Sequence, residues 1–481
     1  MKVSKILVLH KSGSLNQMDN HRGISLIDNL SKPLEKYVCD SLVNFLDEKN
    51  FFNCRQFGFR KNISTYHNVL DLSNMITQCL GRNNSCMSIF LDIRKCFDMI
   101  PRNLLFEKLK NAGIRGLPLQ WFRSYYSNRR QKVFFKGLFS STLEEIIIGV
   151  LQGSVLGPIL FLIFINDLAN CSPEVFINLF ADDALTFMER NSLAELIELA
   201  KVTIPKLTAW YNANELLIHP LKTKVMVFTS PRENLTPEEI QLKTEFNVFI
   251  DMNNVGESIP EKITKLNLVD DNNEGFVKHL GISLDTKLKF SYHLKKVHAK
   301  ISKIIYSMRV MRHLLDKKHL KILYTSYIKS NVEYCCLLFT ACPAYLLDPI
   351  LKIQKAAVRI IENLPSRAHT AEYFKSNGIL PINLLIKFNV CKFMYRYLHG
   401  LQPEIFNNTW EISRDRHRYN TRNVNNFAYA NGVNRTFLLN SPLHSFPTIF
   451  NSLPNNIKQI VNEKEFNRKC FTHFLNQIDF T

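Results

Sequence analysis

The sequence predicts an α+β fold, and three stretches carry that prediction. "VFINLFADDALTFMER" (175–190) reads as two short apolar strands around a polar turn. "SIFLDIRKCFDMIPRNLLFEKL" (88–109) reads as a buried strand running into Asp92, a tight connection, and a helix that starts after Pro101. "LKKVHAKISKIIYSMRVMRHLL" (294–315) repeats its apolar residues at helical spacing and leaves one face basic.

Composition sets the bounds around these elements. A chain of 481 residues carries a soft prior of about three domains. With 46% hydrophobic residues and 35 Phe, it can bury a sizeable core. Its net charge of +19 favours a polyanionic partner, and nucleic acid is the usual one. A membrane partner is not expected: "ILFLIFI" (159–165) is too short to span a bilayer. "MKVSKILVLHKSG" (1–13) has too short an apolar stretch for a signal peptide, so an intracellular setting, nuclear or cytoplasmic, is expected. The 11 Cys form no C-x-x-C pair, which points to reduced thiols rather than a zinc knuckle or a disulfide framework. Internal repeats and low-complexity tracts are not visible.

Charge is concentrated. Residues 287–330 hold twelve Lys/Arg and four His against one acid, Asp316. A basic helix face is often only solvated surface, but a single acid in the whole stretch favours phosphate contact. Lys295, Lys296 and Lys300 are the candidate contacts. Residues 231–275 are the reverse, acid-rich with Asn pairs, and read as a surface insertion.

Asp182 and Asp183 alone would be ordinary turn residues. Asp92 changes the argument, because a carboxylate at the carboxyl end of an apolar strand is costly unless it is paired or binds metal. If that strand lies beside the hairpin, the carboxylates face one cation. Three clustered carboxylates suit two Mg²⁺ ions roughly 3.5–4 Å apart, one activating an attacking 3′-hydroxyl and one neutralising a leaving pyrophosphate. All-oxygen ligands suit Mg²⁺, with Mn²⁺ as the alternative. Between them, "GVLQGSVLGPILFLIFINDL" (149–168) places Pro158 in the first turn of an apolar helix and Gly153 where backbone can approach a ligand. A plain loop-to-helix junction accounts for that stretch equally well.

The order of the blocks adds what no block carries alone. "FLDIRKCFD" (90–98), "GVLQGSVLGPILF" (149–161), "FADD" (180–183), "LKTKVMVF" (221–228) and "VKHLGISLD" (277–285) resemble, in sequence, the reverse transcriptase of non-LTR (LINE-type) retrotransposons. Upstream, "HKSGSLNQMDNHRGISLIDNLSKPLEK" (10–36) and "QFGFRKNISTYHNVL" (56–70) continue the likeness, which covers about the first 290 residues. "ILKIQKAAVRII" (350–361), "YNTR" (419–422) and "FNSLP" (450–454) resemble, more loosely, the carboxy-terminal region of jockey-like and chicken-repeat-like elements.

The resemblance implies a right-hand polymerase: a palm of antiparallel sheet with packed helices, partial fingers, a helical thumb and a mainly helical C-terminal region. Fingers and palm would occupy 1–285, the basic thumb 286–365, and the C-terminal region 366–481. Asp92 and Asp182 would be the principal metal ligands and Asp183 the third carboxylate. Phe97 would be the gate that occludes a ribose 2′-hydroxyl, and Gln152 and Gly153 the loop against the incoming nucleotide. Lys11 and Arg22 would grip the triphosphate. Lys222 would protonate the pyrophosphate, and His279, Leu280 and Gly281 would form the primer grip. For each cation singly, a surface charge is the ordinary reading.

Departures are small: Cys96 stands where Ala is usual, His219 where Asn is usual, and "RGIS" (22–25) where "RPIS" is usual. Family chains carry further polymerase sequence before "ILVLHKSG", so truncated fingers are expected, with no endonuclease ahead and no RNase H behind. The implied activity is RNA-directed DNA synthesis from a primer, with RNA template, DNA primer and dNTPs as partners. Two other classes remain open: an inactive remnant that only binds nucleic acid, and a metal nuclease or nucleotidyl cyclase using the same carboxylates. Retention of all three carboxylates argues against decay of the site.

Overall fold

A computed structural model describes residues 2–11, 13–135, 137–140, 142–219, 222–229, 249–251, 263–265, 267–269, 275–412, 426–428 and 439–480. The expected insertion at 231–275 and the "YNTR" block therefore lie wholly or largely outside the described residues. The chain divides into two compact units. One comprises Met1–Ile63, Met87–Val225 and Asn234–Leu268; the other comprises Ser64–Cys86, Met226–Glu233 and Val269–Thr481. Both strands and helices are abundant, as the sequence predicts.

The chain opens with β1 (Val3–His10), β2 (His21–Leu26) and α1 (Ser31–Glu48), then α2 (Thr65–Gly81) and β3 (Ser85–Leu91). Next come α3 (Arg102–Asn111), α4 (Gly116–Tyr126), β4 (Arg130–Phe135), β5 (Leu138–Phe139) and β6 (Glu144–Glu145). They are followed by α5 (Gly157–Ile165), β7 (Phe176–Phe180), β8 (Asp183–Arg190), α6 (Leu193–Ala213) and β9 (Lys224–Phe228).

In the first unit β1 pairs antiparallel with β2 and parallel with β4, forming one sheet. In a second sheet β3 lies beside β8 and β8 beside β7. Every residue of β3 is buried, as a strand covered on both faces requires. The α5 helix, "GPILFLIFI", is apolar all round and buries every residue except Pro158, which sits in its first turn. The α3 helix begins directly after Pro101, where the sequence places it.

The hairpin at 176–190 differs from expectation by one residue. Phe180 pairs with Asp183, so the turn is Ala181 and Asp182, and Asp183 is the first residue of β8. Two-residue turns match the twist of the flanking strands, and such a turn needs positive φ at its first position. Ala181 supplies it at φ 56.

In the second unit β10 (Val277–His279) and β11 (Ile282–Leu284) form a hairpin with Leu280 and Gly281 as its turn. The basic stretch forms α7 (Ser291–Met311) and α8 (Lys317–Leu323). Along α7 the buried residues His293, Leu294, Val297, Ile301, Ile305 and Met308 mark the apolar stripe, and the lysines fall off it. Farther on, an aromatic cluster of Phe393, Phe406, Trp410 and Phe446 forms a core, with Trp410 stacked on Phe446 at 5.7 Å. No helix among the described residues is long and apolar enough to cross a membrane.

Candidate active site

Five stretches of the chain, 11–23, 92–98, 152, 182–183 and 219–222, contribute to one cavity of ≈ 210 Å³ in the first unit. Asp92 follows the last residue of β3, and Asp182 and Asp183 stand at the β7–β8 turn, ninety residues later. All three line this cavity, together with Lys11, Arg22, Phe97, Gln152 and Lys222. Of the residues singled out in the sequence, the cavity thus gathers eight. His279, Leu280, Gly281, Lys295, Lys296 and Lys300 lie in the second unit.

Backbone pairing fixes Asp92. Its carbonyl accepts from the His219 amide at 2.8 Å, and the Arg94 amide donates to Leu217 at 2.8 Å. An antiparallel bridge joins Ile93 to Ile218. The amides of Lys222 and Thr223 both donate to the His219 carbonyl, which brings Lys222 to the wall of the same cavity.

Phe97 is held from both sides. Its carbonyl accepts from the Val150 amide at 2.8 Å, and its ring stacks on Phe161 of α5 with centroids 5.0 Å apart. It is half-buried, with the remainder facing the cavity. Gln152 is clamped through its backbone, its carbonyl accepting from Ser25 of β2 at 2.8 Å. Gly153 takes φ 108, and a Cβ there would lie 2.9 Å from the Ser25 carbonyl oxygen, so only glycine lets the loop lie this close to β2. Lys11 and Arg22 come from the loop end of the β1–β2 hairpin, where His10 pairs with His21.

The electrostatics of the carboxylates are unbalanced. The Asp183 carboxyl is pushed up to about 6, first by desolvation, then by Asp182 and Asp92, with Lys11 opposing. By accessible surface Asp183 is exposed, so solvent in the cavity screens this shift. Asp182 Oδ2 accepts a hydrogen bond from the Cys96 thiol at 3.5 Å. Burial, reinforced by Asp182, pushes that thiol far up, so it is a neutral donor. Among the described residues no three His, Cys, Asp or Glu side chains are already arranged around one point as metal ligands. Donor type and charge nevertheless fit a hard divalent cation: three carboxylates share one cavity and each other's repulsion.

The perturbed carboxyl makes a testable claim. A folded-state value above the ordinary 3.8 means the folded protein holds that proton more tightly, so stability falls as pH rises from about 4 through about 6. Asp183→Asn should therefore raise Tm over the parent above that window and not below it. Added Mg²⁺ should shrink the difference. Thermal melts across pH, with chelator and with Mg²⁺, read both effects, and a pH-independent difference would contradict the assignment.

Several residues escaped the sequence reading. Glu35 is 1% exposed, accepts from Tyr125 Oη at 2.6 Å and from the Val155 amide at 2.9 Å, and so anchors the loop just beyond Gln152. Its signal was an acidic residue on the buried side of α1, in register with Ser31 and Leu42. Asp98 lines the cavity with a carboxyl raised by burial and countered by Lys95 and Arg22. Its place directly after Phe97 gave no separate signal.

In the second unit, His279 is buried and its Nε2 is 2.8 Å from Asn68 Oδ1. Burial lowers it to about 4, so the ring is neutral. Tyr334 Oη donates to the Leu280 carbonyl. What this turn presents is backbone and Gly281, since the imidazole is committed to the core. Lys296 Nζ donates to Ser283 Oγ at 3.0 Å and sits 3.8 Å from the Phe276 ring centroid, while Lys295 and Lys300 are exposed.

Residues 9–282 match the family described as reverse transcriptase (RNA-dependent DNA polymerase). The probable RNA-directed DNA polymerase from transposon BS of Drosophila melanogaster is 28% identical over 328 residues, covering 66% of this chain and 33% of that protein. Its counterpart from transposon X-element of the same organism is 26% identical over 373 residues, covering 75% and 37%. The RNA-directed DNA polymerase from mobile element jockey, also of Drosophila melanogaster, is 25% identical over 307 residues, covering 62% and 30%. The chain spans about a third of the length of these curated relatives.

Proposed function

The chain belongs to the reverse transcriptase (RNA-dependent DNA polymerase) family, and on that premise we propose that it extends a primer 3′ end with dNTPs on an RNA template. The observation that carries the reading is the convergence of Asp92, Asp182 and Asp183 with Lys11, Arg22 and Phe97 on one cavity. The strands around it act as palm and the β1–β2 hairpin as fingers within 1–285. Residues 286–365 act as a basic thumb, and 366–481 as the C-terminal region of LINE-type elements.

In this reading Lys11 and Arg22 hold the triphosphate, where fixed positive charge matches phosphate oxygens. Phe97 abuts the sugar, and the Gln152–Gly153 loop backs the base pair being formed. Asp92, Asp182 and Asp183 would hold two Mg²⁺ or Mn²⁺ ions, which supply charge stabilisation to the attacking and leaving oxygens. Lys222, on the Asp92 side of the cavity, is placed to give a proton to the departing pyrophosphate. Most of the acceleration would come from positioning and electrostatics rather than from covalent chemistry. The setting is the cell interior, nuclear or cytoplasmic, where template, primer and dNTPs meet.

Primer extension on an RNA template with Mg²⁺ tests this directly. Template-dependent addition of dNTPs is the expected result. Strand cleavage would favour a nuclease, and template-independent turnover of nucleotide a cyclase. Binding without extension would leave an inert nucleic-acid binder.

The thumb assignment has its own test. If the exposed face of α7 follows the duplex backbone, affinity for primer–template falls steeply with salt, through counterion release. Replacing Lys295, Lys296 and Lys300 by Ala should flatten the log K against log salt slope by about 2, since each phosphate contact contributes about 0.9. The full sum is not expected because Lys296 is partly engaged with Ser283 and Phe276. An unchanged slope would make that face solvated surface only.

A further inference from the structure

The "RQFGFR" segment (55–60) has no part in the mechanism above, yet it lies directly behind the Asp182 turn. Its backbone lies along the outer edge of β7. The Leu179 amide donates to the Arg55 carbonyl at 2.9 Å and the Phe57 amide donates to the Leu179 carbonyl at 2.7 Å, in a parallel bridge between Gln56 and Leu179. Arg55 Nη1 donates to Asn178 Oδ1 at 2.7 Å and the guanidinium lies over the Phe176 ring.

Gln56 itself is 0% exposed. Its Oε1 accepts from the Gly58 amide at 2.9 Å and from the Ala181 amide at 3.4 Å. Ala181 is the turn residue before Asp182 and holds φ 56, a conformation that a residue with a Cβ adopts only when its surroundings enforce it. Gly58 is pressed against the same spot: a Cβ on it would lie 2.4 Å from the Ala181 nitrogen and 3.0 Å from the Phe180 carbonyl carbon.

We propose that Gln56 is a positioning residue for the Asp182 turn, its side-chain oxygen bridging the Gly58 and Ala181 amides so that the turn keeps one conformation. The inference rests on the reading of the cavity as a nucleotidyl-transfer site. Packing alone does not account for Gln56, because a buried apolar side chain of the same length would fill the space with no polar group to satisfy. Gln56 Nε2 makes no hydrogen bond among the described residues, so the acceptor oxygen carries the amide's role. Placement matters because a misplacement of about 1 Å at a reacting centre costs about 10²-fold in rate.

The test uses Gln56→Leu, which fills the volume without an acceptor, and Gln56→Glu, which keeps an acceptor oxygen. Gln56→Leu should lower kcat for single-nucleotide addition by about tenfold or more, leaving KM for dNTP and Kd for primer–template within about twofold. Gln56→Glu should recover most of the loss. Amide hydrogen exchange of residues 176–184, read beside the α5 segment 157–165, supplies a measure independent of chemistry. Exchange should quicken in 176–184 and not in 157–165. If Gln56→Leu fails to fold, Gln56→Met keeps the side-chain length and takes its place. Unchanged exchange at the turn, or an unchanged kcat, overturns the inference. A parent that never extends primers would sink the polymerase reading alone, because exchange at the turn still decides the role of Gln56.

Discussion

Asp182→Ala should reduce primer extension by about 10³-fold or more, the scale of losing a main electrostatic element of an active site. The expected loss falls on chemistry and not on folding. Asp182 is the second residue of a two-residue turn, opens on the cavity, and among the described residues receives only the Cys96 thiol contact at 3.5 Å. Its removal leaves the β7–β8 ladder intact and relieves part of the repulsion on Asp183. Tm should therefore stay within a few degrees of the parent or rise slightly, and primer–template should still bind. Asp182→Asn gives the sharper control, since it keeps shape while removing charge. Mg²⁺-dependent extension by either variant near the parental rate would remove Asp182 from the mechanism.

Much of this was legible in the sequence, and what was not has identifiable causes. The family resemblance is borne out, with the reverse transcriptase match running over 9–282 and so across the same ordered blocks. Strand and helix positions around Asp92, Pro101 and Pro158 followed from apolar runs and proline, both local signals. The hairpin turn slipped by one residue because its register depends on Ala181 adopting positive φ. Nothing in "FADD" announces that. It is enforced from outside, by Gln56 and Gly58, more than 120 residues away along the chain. Glu35 was hidden for a related reason. Its partners, Tyr125 and Val155, are distant in sequence, and an acid inside an amphipathic helix reads as surface until its neighbours are known. His279 shows the opposite limit. A motif position can be found from sequence while the direction of its side chain, here into the core against Asn68, comes only from packing.

Phe97→Ala should admit ribonucleotides that the parent rejects, and the geometry sets two outcomes apart. The ring is half-buried: one side stacks on Phe161 at 5.0 Å, and the other opens on the cavity with Asp92 and Asp182. Its backbone is pinned by the bond from Val150, and its ring is held by the stack on Phe161. A sugar seated over such a ring has room for a 2′-hydrogen and not for a 2′-hydroxyl. Truncation to a methyl opens a space larger than that oxygen. Pocket shape commonly discriminates by about 1–3 kcal/mol per small group, so the dNTP to rNTP preference should fall by about 10–200-fold. If Phe97 were instead only a packing partner of Phe161, emptying its site would cost up to about 3–5 kcal/mol of stability. Incorporation of both nucleotide types would then fall together, with a lowered Tm. The measurement is the ratio of single-nucleotide insertion efficiencies, kcat/KM for dNTP over kcat/KM for rNTP, in parent and variant alongside Tm. A ratio that stays the same while Tm falls would assign Phe97 to the core and leave selection against the 2′-hydroxyl to other residues of the cavity.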